Sequence, residues 1–188
     1  MKAVLISIQP KWCELIASGK KTIEVRKTKP KLETPFKCYI YCTQNTPYNP
    51  VIPMRYEKEG GNIYTGGKRY AEFLTSRVIG EFVCDRIDGI CWASNSTMLG
   101  WKNTYNKNSC LTDNELYDYS NGDLFYEWHI SDLVIYDEPK DLSEFKRACP
   151  DNVYSCAMCR HGDYTGMKCT PITRPPQSYM FVEELKGD

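Results

Sequence analysis

A chain of 188 residues and 21.8 kDa, 41% hydrophobic and 26% charged, has the make-up of a folded globular core and not of a disordered segment. Lys plus Arg and Asp plus Glu balance at 24 each, so no overall field draws the chain to nucleic acid or to an anionic membrane, and any phosphate binding has to come from a local patch. No stretch approaches the roughly 20 apolar residues that cross a bilayer, and ten cysteines without an export signal point to a reducing cytoplasm, with thiols free or metal-bound.

In chain order, Val4, Leu5, Ile6 and Ile8 form a short β-rich run, read as the first strand because Pro10 and Trp12 arrive without a cleavage site. Pro10 suits the first turn of a helix. Trp12, Leu15 and Ile16 then fall on one helical face, and Gly19 stands where a left-handed residue commonly ends a helix. Lys21 to Arg26 alternates, with Ile23 and Val25 on one face and Thr22, Glu24 and Arg26 on the other. Phe36 to Cys42 predicts a further strand, placing Tyr39 and Tyr41 on its polar face.

Residues 43–77, rich in Pro and Gly as far as Lys68, are too long for a turn and predict an insertion or flap. Val78 to Ile87 resumes strand character. Thr112 followed by Glu115 is a capping box that opens a helix through Tyr119. Leu124 to Tyr136 predicts two strand segments ended by Pro139, and Ser178 to Leu185 a closing strand. The total is six or seven strands and two or three short helices in a single domain spanning 1–188, a partly closed mixed barrel.

Lys20, Lys21, Arg26, Lys27, Lys29 and Lys31 form a dense basic run, either a phosphate patch or a solvated face of mixed charge. Within it, Glu24 and Arg26 lie about 7 Å apart on one strand face. A carboxylate and a guanidinium so placed can grip different edges of one planar ligand such as a base or nucleoside; the alternative is an internal ion pair that orients Lys21 and holds the helix to the barrel. Trp92, Trp101, Trp128, Tyr39 and Tyr41 can stack bases or serve as packing, and His129 reads as a hydrogen-bonded structural residue.

Cys149, Cys156, Cys159 and Cys169 concentrate in a segment, 147–172, with few apolar groups of its own. The Cys156-x2-Cys159 knuckle predicts a structural zinc held by these four thiolates, with His161 as an alternative ligand; free thiols or a redox switch are the other readings. Beyond it, Pro175 and Pro176 stiffen the chain between Arg174 and Gln177, which are either presented to a ligand or simply lead into the last strand.

The stretch SIQPKWCELIASGKKTIEVRK resembles the opening of an ASCH domain, a branch of the PUA-like superfamily marked by a helix followed by G-x-K-T-x-E-x-R; Gly19, Lys21, Thr22, Glu24 and Arg26 fill every marked position. YEWHISDLVIYDEPKDLSEF and TRPPQSYMFVEEL are similar to members found in bacterial and phage genomes. The resemblance implies an α+β fold, a PUA-like mixed β-barrel with short flanking helices, here with a Cys-rich zinc appendage. It also implies an RNA- or nucleotide-binding module, with a ligand held in a cleft by Lys21, Glu24, Arg26 and Trp128 and flanked by Arg174 and Gln177.

Some members are amidohydrolases that deacetylate a modified cytidine, using a Lys and a Thr on this strand and a Glu elsewhere. The alternative function is therefore hydrolysis of an acylated nucleoside such as N4-acetylcytidine, with Lys21 as the catalytic residue. Glu24 occupies the threonine's position, and an adjacent carboxylate favours the charged lysine. A protein-interaction module in a phage or mobile-element setting is the third reading.

Overall fold

The computed structural model describes residues 1–44, 75–92, 104–148 and 171–185. Cys149, Cys156, Cys159, Cys169, His161, Trp101 and most of the insertion expected at 43–77 lie outside the described residues. The elements are β1 (Lys2–Ile8), α1 (Pro10–Ala17), β2 (Ile23–Arg26), β3 (Phe36–Cys42), β4 (Arg77–Ile90), α2 (Thr104–Ser109), α3 (Asp113–Ser120), β5 (Phe125–Lys140), a 3-10 turn (Leu142–Glu144) and β6 (Tyr179–Glu183). No helix among the described residues is long and apolar enough to cross a membrane.

Hydrogen-bonded neighbours run β2-β5-β4-β3-β1-β6. β1 pairs parallel with β3 and antiparallel with β6, and β2 pairs antiparallel with β5, so the sheet is mixed. It is open, not the barrel expected from the sequence: closure requires the first and last strands to pair, and among the described residues β2 and β6 end the order without pairing each other. Both terminal strands are short, at 4 and 5 residues, and the outer side of β6 is partly covered: the Glu183 N–H donates to the Lys146 carbonyl at 2.9 Å and the Ala148 N–H to the Phe181 carbonyl at 3.0 Å.

The chain divides into two compact units, Met1–Pro10 with Lys37–Glu81 and Val134–Asp188, and Lys11–Phe36 with Phe82–Leu133. In the first unit β1 is buried along all but its first residue, as befits a strand paired on both sides. Tyr39 and Tyr41, expected on a polar face, are instead buried with Ala3, Leu5, Phe145 and Val182. The Tyr39 hydroxyl accepts the Leu185 N–H at 2.9 Å and its ring meets Phe145 edge-on, centroids 4.9 Å apart. At Gly80 β4 comes close to β5: a Cβ there would collide with the Val134 carbonyl oxygen, so only glycine fits.

β5 is one strand where two segments were expected, and it runs past Pro139 to Lys140. Asp132 stands in its middle at φ 45, a left-handed conformation that Asp tolerates better than most side chains, so the strand can change direction there without ending. In the second unit, Ile23 and Val25 of β2 pack with Leu116 of α3 and Phe125 of β5. α3 opens as the capping box predicts, with Thr112 Oγ1 accepting the Glu115 N–H at 3.2 Å and Glu115 Oε2 accepting the Thr112 N–H at 2.8 Å.

Candidate functional site

α1 ends as its sequence suggests. Gly19 takes φ +70, its N–H donates to the Ile16 carbonyl at 2.8 Å, and the Lys20 N–H donates to Leu15 at 2.9 Å, the two bonds of a Schellman turn. The Lys21 N–H also donates to Leu15, so the turn delivers Lys21 in a set direction just before β2. From there Thr22 donates to the Asn108 carbonyl at the end of α2, which ties the two segments together.

All four residues of β2 are buried, the charged face included. Lys21 is 2% exposed, Glu24 6% and Arg26 8%. Glu24 bridges two cations: Lys21 Nζ lies 3.4 Å from Oε2, and Arg26 Nη2 lies 3.0 Å from Oε1. Lys21 Nζ also donates to the Ser109 carbonyl at 2.8 Å and sits 5.2 Å from the centre of the Trp12 ring. Since Ser109 is the last residue of α2, this ammonium meets the negative end of a helix dipole. Glu24 and Arg26 are thus turned inward, and they engage each other.

The β2–β5 register separates two chemistries. Glu24 stands opposite Trp128 and Arg26 opposite Tyr126, whereas Val25 stands opposite Glu127 and Ile23 opposite His129. Directly opposed residues share a face and consecutive residues alternate, so Glu127 and His129 lie on the other face from Glu24 and Arg26.

Glu127 is 0% exposed and, among the described residues, neither carboxylate oxygen has a hydrogen-bond partner. Burial pushes its carboxyl up to about 7, the Asp88 carboxylate adds to the rise, and the charges of Lys21 and Arg86 oppose it. His129 Nε2 is 2.8 Å from Asp88 Oδ2, and Arg86 Nε is 3.0 Å from the same oxygen. Burial drives the nearby Cys84 thiol up to about 12, which leaves it protonated and a poor nucleophile at neutral pH.

Lys21, Glu24, Arg26 and Trp128 therefore share one unit. Trp128 presents no exposed ring face: it is fully buried and meets Phe36 edge-on at 5.9 Å. Trp92 packs against Tyr117 and donates to Ser120 Oγ at 2.7 Å. Arg174 and Gln177 belong to the other unit and are exposed; the Ser7 hydroxyl donates to the Pro176 carbonyl between them at 2.6 Å. Glu127 and the Ser109 carbonyl were missed in the sequence. A carboxylate inside the aromatic run Tyr126-Glu127-Trp128-His129 was the available signal for the first, while a backbone carbonyl leaves none for the second.

Removing the shared anion should be costly, because two buried cations lose their partner. Glu24→Ala is expected to lower stability by about 3–5 kcal/mol in urea melts. Glu127 has the opposite character. Its folded-state carboxyl titrates above its ordinary value, so the stability it gives the native protein is full below pH 4.5 and is lost as pH rises through 7. In EDTA-containing buffer the stability of Glu127→Gln relative to the parent should therefore improve by on the order of 3 kcal/mol between those limits; a difference independent of pH would refute the assigned shift.

The family model for the ASCH domain matches residues 6–48, the stretch that carries α1, Lys21, Glu24 and Arg26. Among solved structures, the crystal structure of ASCH from Zymomonas mobilis aligns with a TM-score of 0.50 at 18% identity, covering 97% of this chain and 88% of that one. A serine-to-alanine mutant of the same organism's ASCH protein aligns with a TM-score of 0.51 at 18% identity, covering 97% and 89%. A comparison with curated proteins finds no match. The chain thus carries an ASCH-domain match over residues 6–48 within an α+β fold shared with the ASCH structures of Z. mobilis.

Proposed function

We propose that the unit built from Lys11–Phe36 and Phe82–Leu133 binds RNA or a nucleotide-like ligand, with phosphate held over the basic loop that leaves β2. One observation carries this reading. Lys29 and Lys31, both exposed, line an open hollow of about 580 Å³ together with Glu33, Thr34 and Ile87. That volume is in the range of small-molecule sites. Lys29 Nζ lies over the partly buried Tyr126 ring, 5.6 Å from its centre, a cation–π contact that steadies this ammonium at the rim of the hollow.

In this arrangement the buried row of Lys21, Glu24 and Arg26 is the rigid support. Its mutual ion pairs fix the strand from which the loop departs, and ligand contact passes from the strand to its exit. The balanced net charge of the chain makes such a local patch necessary for any phosphate binding. The ASCH-domain match over the same residues supports the reading without identifying the ligand.

A second reading, hydrolysis of an acylated nucleoside, is favoured by Glu127. A buried carboxyl that titrates near neutrality within the field of the Lys21 ammonium can take up and return a proton at physiological pH.

Lys29 and Lys31 are exposed, so the Lys29→Ala/Lys31→Ala protein should keep the parent's melting temperature. It should bind a labelled single-stranded RNA oligonucleotide more weakly, and its log–log salt slope should be shallower by about 0.7 for each phosphate that these lysines neutralise in the parent. RNA affinity unchanged in the double variant, or absent in the parent, overturns the binding reading. Release of cytidine from N4-acetylcytidine, abolished in folded Glu127→Gln, would establish the second reading in its place.

A further inference from the structure

Asp88 of β4 and Glu127 and His129 of β5 each bring one potential ligand atom to within 4.8 Å of the others. Glu127 and His129 are two apart on one strand and so point the same way. Glu127 forms the floor, 0% exposed and with both carboxylate oxygens unpartnered among the described residues. Asp88 and His129, with side chains 34% and 18% exposed, leave a route in from solvent. Proteins ordinarily pair a buried carboxylate or set it on a metal ion, and no side chain among the described residues does the first here.

The cluster already recruits positive charge from outside. Arg86 places Nε 3.0 Å from Asp88 Oδ2 and Nη2 3.0 Å from His129 Nε2. Its hydrogen bonds reach the two outer members and stop short of the floor.

We propose that Asp88, Glu127 and His129 form a binding site for a first-row divalent cation, with two carboxylate oxygens and one imidazole nitrogen as ligands and water in the remaining positions. Such a mixed oxygen and nitrogen set suits Mn²⁺ or Zn²⁺ and leaves open coordination positions. The ion and the Arg86 guanidinium compete for Asp88 and His129. The site lies on the opposite face of the β2–β5 pair from Glu24 and Arg26 and uses neither Lys29 nor Lys31. It shares Glu127 with the hydrolase reading but needs no substrate, so the two stand or fall separately.

Mn²⁺ is the suitable probe, because thiolates such as those of Cys149, Cys156, Cys159 and Cys169 prefer softer ions. The full chain, stripped with chelator and dialysed, is titrated with MnCl₂ while the free-ion EPR signal is followed. Saturable binding at submillimolar Mn²⁺ is expected, with nitrogen modulation from a coordinated imidazole in the bound signal. The chain has 2 histidines, so His161→Ala must keep that modulation and His129→Gln must lose it. Glu127→Gln, folded by circular dichroism, should weaken binding by about tenfold or more, and Arg86→Gln, which removes the competing cation, should tighten it. No saturable binding, affinity unchanged in Glu127→Gln, or modulation that survives His129→Gln would overturn the site.

Discussion

The carboxylate of Glu24 lies between the Lys21 ammonium and the Arg26 guanidinium, all three almost out of reach of solvent, and the second unit is arranged around that contact. Taking three charges out of water is expensive. The arrangement persists only because every charge has a partner at close range, and Lys21 has a further one in the Ser109 carbonyl. Through these bonds the end of α1, the strand β2 and the end of α2 become one object, although Lys21 and Ser109 are 88 positions apart.

Behind this satisfied row stands an unsatisfied group. Glu127 occupies the reverse face of the same strand pair, buried as deeply and without a donor among the described residues. The difference is one of neighbours. Glu24 has a cation three positions before it and another two positions after, while Glu127 is flanked by Tyr126 and Trp128 and faces Asp88, a second anion. A buried carboxylate opposite a like charge favours its protonated form, and this raises the Glu127 carboxyl toward neutrality. Paired charges hold the strand; the unpaired one is left available to a proton or a cation.

Elements whose determinants lie within a few residues were legible in the sequence. Gly19 ends α1 in the left-handed turn that glycine permits, and Thr112 with Glu115 caps α3 on both sides of the bond. The burial of Glu24 and Arg26 was not legible in the alternation along β2, which by itself describes a strand with its charged face toward water; the ion pairs of Glu24 with Lys21 and Arg26 explain it. The site was legible only in part. Tyr39, Tyr41 and Trp128 look alike as core residues and as stacking platforms in one dimension, because both roles call for a large ring; all three are buried. The barrel was a wrong expectation, since strand count and alternation carry no information on whether the first and last strands meet.

By itself the sequence determined the local shapes and the chemistry on offer: where α1 stops, which face of β2 is ionic, how α3 begins. These follow from backbone torsions, from the periods of helix and strand, and from hydrogen bonds closed within one turn. Only the tertiary structure decided which groups meet. That Lys21 finds a carbonyl at Ser109 depends on where the end of α2 docks, and that Glu127 and His129 of β5 converge on Asp88 of β4 while Glu24 and Glu127 take opposite faces depends on strand register. A slip of one residue in that register would turn every side chain of the strand to the other face.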